Sequence, residues 1–455
     1  MPVWNRDTAR HLLSRALFGY RRADLDRALS FPSLEAFVDQ ELLADRPLPA
    51  PPNAWVTEAP VPNDPNIGTR NRELVAWWYN LMLTEGTSVR EKVVLLFHNH
   101  FTSERDKVNF PQFMYIQNDL FRRYAFGNLR QLTKDVTVDP AMLIYLDGRG
   151  STRNGPNENY ARELFELFTL GVGNYTETDI KQAARALTGW QLDGLKAVLN
   201  PNRFDTGQKT IFGKTGNFGY QDVVDLAYQQ TAAAEWWARK LCLEFMYYKP
   251  DGAFVKKLAA VLRAADFNLK PALRALFTAD EFYAPGVVGA KIKSPTELMI
   301  GTLKALDVRG LTANDWGFVY DSGRNLQQWI FQPPDVAGWP GQRDWISSNT
   351  YPQRGGYSDA LVNGRQLAGR ALNFKLASVE YARSYAKPED APQLVNDVVE
   401  AFMQFPLSAA KRKSLLDTLL DGTVVSNWST YTPMADARIN RFLKALMRLP
   451  EYQLC

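Results

Sequence analysis

NGPNENYARELFELFTLG, Asn154 to Gly171, is the stretch on which the fold class turns. Gly155-Pro156 closes a loop, and Asn157 is placed to cap whatever follows. At about 100° per residue, Glu158, Asn159, Arg162, Glu163, Glu166 and Thr169 share one sector roughly 140° wide. Tyr160, Ala161, Leu164, Phe165, Leu167, Phe168 and Leu170 fill the rest. So wide an apolar arc predicts a helix that is mostly buried.

The helical period recurs outward in both directions, at 7–18, 70–85, 88–101, 110–124, 177–189, 231–248, 252–264, 293–306, 357–372, 389–403, 407–420 and 434–447. Ser88 followed by Glu91 reads as a capping box, and Thr176 with Asp179 as a weaker one. Strand signals are sparse. The best is KTIFGKTGNFGY (Lys209–Tyr220), where three glycines punctuate short β-favouring pieces. Proline concentrates in RPLPAPPNAWVTEAPVPND, predicting an extended surface arm over 45–68. A second irregular stretch covers Phe331–Gly356, and no fixed-period repeat occurs. The expectation is a mainly α protein: one large helical domain over 1–455, with a minor β-hairpin or Gly-rich loop and long ordered loops.

Composition narrows the function classes. With 53 Lys and Arg against 49 Asp and Glu, the net charge of +4 is too slight to argue for nucleic acid or an anionic membrane. No segment reaches about 18 consecutive apolar residues, so no membrane span is expected. Two cysteines make neither a disulfide framework nor a zinc cluster. The N-terminal 20 residues lack the apolar core of a secretory signal, so the expected location is the cytoplasm.

Only three histidines occur, and two of them fall in VVLLFHNHFTSERDK (Val93–Lys107). The run Val93–Phe97 is apolar on every side, which predicts shielding of at least one of His98 and His100 from water. Residues two apart on a helix diverge by about 200°. Both rings can therefore ligate one metal only if the helix stops near Asn99. Shielded histidines serve as metal ligands or as general bases, or as hydrogen-bonded fixings of a helix end. The polar sector of the first stretch offers partners. Three carboxylates stand against one arginine, so Asn159, Glu163 and Glu166 either face solvent or line a cleft with the histidines.

FDTGQKTIFGKTG (Phe204–Gly216) has the glycines and lysines of a phosphate cradle, but Gly207 stands six positions before Gly213 instead of five. In QPPDVAGWPGQRDW (Gln332–Trp345), prolines stiffen a loop that must either bury or present Trp339 and Trp345. No G-x-S-x-G and no H-E-x-x-H is present.

Taken together, HLLSRALFG (11–19), REKVVLLFHNHFTS (90–103), DPAMLIYLDG (139–148), NENYARELFELFTLGVGNYTETDIKQAARALTGW (157–190), KSPTELMIGTLKAL (293–306) and PPDVAGWPGQRDWISSNT (333–350) resemble a bacterial domain-of-unknown-function family, the one numbered 1800. The resemblance implies one mostly helical domain without an established activity. It also implies a sulfatase-like partner protein, encoded beside relatives that frequently carry export signals. Where relatives often place a His before the Asp of the D-x-G-x-K-T loop, this chain has Phe204.

Two functions remain open at this stage. One is an enzyme of hydrolytic type, assisted by a divalent metal or not. In it His98 and His100 act as base or metal ligands and Glu163 and Glu166 as carboxylate partners. Asn159, Arg162, Asp205, Lys209 and Trp339 are then the residues expected to bind substrate. The other is a non-catalytic helical scaffold that binds or matures a partner protein.

Overall fold

The computed structural model describes residues 2–364, 366–367 and 370–455. Among them are twenty-two α-helices and three two-stranded antiparallel ladders, so the protein is mainly α as expected. The ladders pair Trp190–Asp193 with Lys196–Leu199, Lys209–Ile211 with Lys214–Gly216, and Gln366–Leu367 with Arg370–Ala371.

At the centre lies the helix Arg90–His100, in which every side chain except Asn99 is buried. Phe97 meets Phe121 of the helix Pro111–Arg123 and Trp237 of the helix Thr231–Phe245, with ring centroids 6.1 and 6.2 Å away. An all-apolar turn needs neighbours on all sides, and here it has them.

The capping box predicted at Ser88 is absent. Val89 is the N-cap residue and Glu91 turns inward. There Glu91 accepts hydrogen bonds from Arg122 Nε at 2.6 Å and from Trp78 Nε1 at 2.9 Å. A buried arginine claims the carboxylate more strongly than a neutral backbone N–H does. The box at Thr176 and Asp179 is complete. The helix predicted over 357–372 runs from Thr350 to Asn363 and stops where Gly364 takes φ +68°. Its start was hidden in the irregular stretch, where Ser347 and Thr350 bond to one another.

Residues 158–169 are helical, with a wide π-turn over Leu164–Thr169. The predicted hairpin forms at Lys209–Gly216, turning through Phe212 and Gly213, both at positive φ. The proline-rich 45–68 stretch buries Trp55, whose Nε1 donates to Glu73 at 2.7 Å on the helix Ile67–Thr84.

Candidate functional site

The central helix continues to His100, with Phe101 as its C-cap, so the two imidazoles point apart. His98 Nε2 accepts the backbone N–H of Phe331 at 3.1 Å, among the rings of Trp78, Phe331 and Trp339. An acceptor at Nε2 places the proton of the neutral ring on Nδ1. His100 has the opposite tautomer: its Nε2 donates to the carbonyl of Phe168 at 2.9 Å. Its Nδ1 is buried without a partner, with Trp237 4.2 Å away between centroids. Burial drives the His98 pKa down to about 3. Burial, then the charge of Lys240, lowers that of His100 well below 6.5.

The histidine segment and the Asn154–Gly171 stretch therefore meet, but through a backbone carbonyl in the last turn of a helix, where carbonyls lack intrahelical partners. Among the described residues, no hydrogen bond or ion pair joins His98 or His100 to Glu163 or Glu166. Glu166 accepts from the Tyr175 hydroxyl at 2.6 Å. Glu163 is half-buried, and burial followed by Glu166 raises its pKa. It lies near Tyr145, whose hydroxyl is pushed up to about 12 by burial and then by Glu104, Asp335 and Glu163. Asn159 is exposed, and Arg162 forks onto Glu177 with two bonds of 2.8 Å. Asp205 is clamped by Arg185 at 2.7 and 3.1 Å. Lys209 is buried and donates to the carbonyls of Asp205 and Gly207 at 2.6 and 2.9 Å. These last two hold their own loop in shape. Among the described residues, no group of three or more His, Cys, Asp or Glu is arranged to hold a metal ion.

What the histidine segment holds is the tryptophan loop. Besides the His98 bond, Asn99 Oδ1 accepts the N–H of Trp339 at 2.7 Å, and Thr102 Oγ1 donates to the Val336 carbonyl at 2.6 Å. The N–H of Arg105 meets the Phe331 carbonyl at 2.9 Å, and Gln332 bonds to Glu104. Gly338 sits at φ +85°, so close that a Cβ there would lie 2.5 Å from the Asn99 carbonyl oxygen. Only glycine fits such an approach.

Seated in this way, the loop walls a cleft of about 260 Å³ against the helices Arg90–His100 and Thr231–Phe245. Asn99, Lys240, Glu244, Lys291, Gln328 and Trp339 are among its lining residues. Lys291 Nζ lies 2.6 Å from Glu297 and 3.4 Å from Glu244. Lys92 pairs with the same two carboxylates, 3.4 Å from Glu244. Burial works to raise the Glu297 pKa, but Lys291 and Lys92 hold it well below the carboxylate range. Two cations and two anions thus neutralise one another under the cleft.

Lys240 stands outside that arrangement. No ion pair or hydrogen bond engages it among the described residues; its ammonium lies 4.8 Å from the Trp236 ring centroid, and burial lowers its pKa. Gln328 Oε1 accepts the Thr296 N–H at 2.9 Å, which fixes the orientation of its amide. The cleft can therefore offer an ammonium and two oriented amides, from Asn99 and Gln328, beside an indole ring. This is a donor-rich setting suited to an anion.

Of the residues expected from sequence, only Trp339 lies on the cleft. Lys240 and Glu244, one helical turn apart inside WWARKLCLEFMYY, and Glu297 inside KSPTELMIG went unread. Their signal is the presence of charge in otherwise apolar helical runs.

No curated protein and no solved structure matches the chain. The model of the family described as "Protein of unknown function (DUF1800)" matches residues 11–454, nearly the whole length, and the chain belongs to that family.

Proposed function

We propose that the chain is a helical binding protein whose cleft takes a small anionic ligand, with Lys240 as its charge partner. One observation carries this reading: Lys92 and Lys291 are both paired to Glu244 and Glu297, while Lys240 on the same cleft has no carboxylate. A partly buried cation without a counter-ion is a ready anion site. Titration calorimetry with inorganic phosphate and with citrate tests it. Saturable binding that vanishes in Lys240→Met is expected. Because burial lowers the lysine's pKa, binding also weakens as pH rises, starting below the ordinary lysine range. No heat with either probe, or unchanged binding in Lys240→Met, overturns the reading.

Hydrolytic chemistry has one foothold in the same cleft, the depressed amine of Lys240 one turn from the Glu244 carboxylate. Turnover of p-nitrophenyl acetate that is lost in Glu244→Gln favours it over binding alone. A divalent metal at His98 or His100 has either to displace the backbone bond at Nε2, to Phe331 or Phe168, or to use the buried Nδ1. The sulfatase-like partner is proposed on the family resemblance alone.

A further inference from the structure

The tryptophan loop borders a second hollow. Sharing Trp339, Pro340 and Trp345 with the cleft, a groove of about 390 Å³ is lined by Trp329, Trp339 and Trp345, within the range of roughly 300–1,000 Å³ usual for small-ligand sites. Arg324, Gln327 and Asp344 stand at its edge, all exposed. We infer that this groove is a saccharide-binding site.

The lining argues for that class. Trp339 and Trp345 are only 5% and 6% exposed and form the apolar floor, so the ring surface on offer is chiefly that of Trp329. An indole favours a ligand with an apolar face at little cost in side-chain freedom. The edge carries one cation, one anion and one amide, so it neither selects a charged ligand nor repels a neutral one. It supplies planar donors and acceptors together, as adjacent hydroxyl groups require. A pyranose ring, with C–H bonds on its faces and hydroxyls around its perimeter, matches both features.

The platform is also held in advance. The bonds from His98, Asn99 and Thr102 seat the loop, and Pro334 and Pro340 stiffen it, so little ordering accompanies binding. Trp329, the more open of the three rings, is braced by Tyr320 at 5.4 Å and stacked by Arg105 at 4.7 Å and Arg324 at 5.1 Å. Its Nε1–H is buried without a partner, a donor that the protein leaves unused. A proline-rich peptide is the rival occupant of an aromatic groove. The compact volume and the mixed charged edge favour the sugar.

Saturation-transfer NMR and tryptophan fluorescence on the full chain test the inference, with maltose, cellobiose and N,N′-diacetylchitobiose as probes and decaproline as the rival. At least one disaccharide is expected to saturate. Arg324→Ala and Asp344→Ala, both at exposed positions, are expected to weaken it about tenfold each. Lys240→Met should leave it unchanged, which separates this groove from the anion cleft. The inference is overturned if no disaccharide saturates, if decaproline saturates instead, or if both surface variants bind as the parent does.

Discussion

Acidification should unfold this protein through its histidines, with a slope that the structure sets. All three rings are buried: His11 and His98 have pKa values driven to about 3, and His100 is lowered in the same direction, in each case chiefly by desolvation. A histidine depressed in the folded state leaves stability intact above its unfolded value near 6.5. That stability is lost as pH falls, because only the unfolded chain takes up the proton. At pH 5, each ring with a folded value near 3 costs about 2 kcal/mol, so His11 and His98 together remove about 4 kcal/mol. Asp139 opposes them. Burial raises its pKa from 3.8 to about 7, against the bonds from Met142 N–H and Gln117. Across that window the folded state holds a proton that the unfolded state has released, so this carboxyl favours folding as pH falls. Three protons gained by imidazoles, less one already held by Asp139, leave a net uptake of about two on unfolding near pH 5.5. That is roughly 2.7 kcal/mol per pH unit, against a typical total stability of about 5–15 kcal/mol. Urea titrations followed by the fluorescence of the 12 tryptophans, at several pH values between about 5 and 6.5, give the slope directly. Asp139→Asn keeps the cap on Met142 and removes the opposing proton, so its slope should steepen to about three protons. His98→Gln, which keeps an acceptor for Phe331, should lower the parent slope by about one. A parent slope of one proton or less, or an Asp139→Asn slope equal to the parent's, refutes the reasoning.

The remaining predictions concern the loop, the buried charges and metal content. Gly338→Ala places a Cβ against Asn99 at a positive φ and should cost about 3 kcal/mol, read as a lowered urea midpoint with an unchanged m-value. Asn99→Ala leaves the Trp339 N–H without its acceptor, a loss of about 1–3 kcal/mol, and amide exchange across 336–345 should quicken while the helix Pro111–Arg123 stays protected. Glu297→Gln leaves Lys92 and Lys291 to share the single carboxylate of Glu244 and should destabilise the protein by about 3–5 kcal/mol, measured by the same titration. Metal analysis of purified protein should find less than about a tenth of an equivalent of any transition metal, since both Nε2 atoms are engaged; a stoichiometric metal lost in His98→Gln contradicts this.

Most long helices were legible from a sustained period, though Ala313–Asn325, with Gly317 and Gly323 inside it, was not. Thr231–Phe245, Gly252–Ala264 and Ala435–Met447 lie within a few residues of their predicted bounds. Short helices such as Pro140–Tyr145 and Ser378–Arg383 span under two turns, too few for a period to emerge. The shielding of at least one of the two histidines was legible for the same reason, since an apolar turn has no solvent side; the structure buries both. Their partners were not. A backbone N–H from Phe331 and a carbonyl from Phe168 carry no residue type, so no pattern of side chains announces them. Pattern reading favoured glutamates because they are visible letters. It passed over Lys240 because an unpaired charge is defined by which carboxylates lie elsewhere in space.

The ladder that seats the tryptophan loop joins His98 to a residue 233 positions further on. On a ribosome moving at about 5–20 residues per second, the second half of that ladder follows the first by roughly 10–50 s. For that interval the nascent chain carries a histidine helix with its acceptors unmet, joined in its later part by an unwalled Lys240. The anion cleft and the tryptophan groove consequently arise together and late, so a truncation before the loop removes both at once and leaves the earlier helices with an uncovered apolar face.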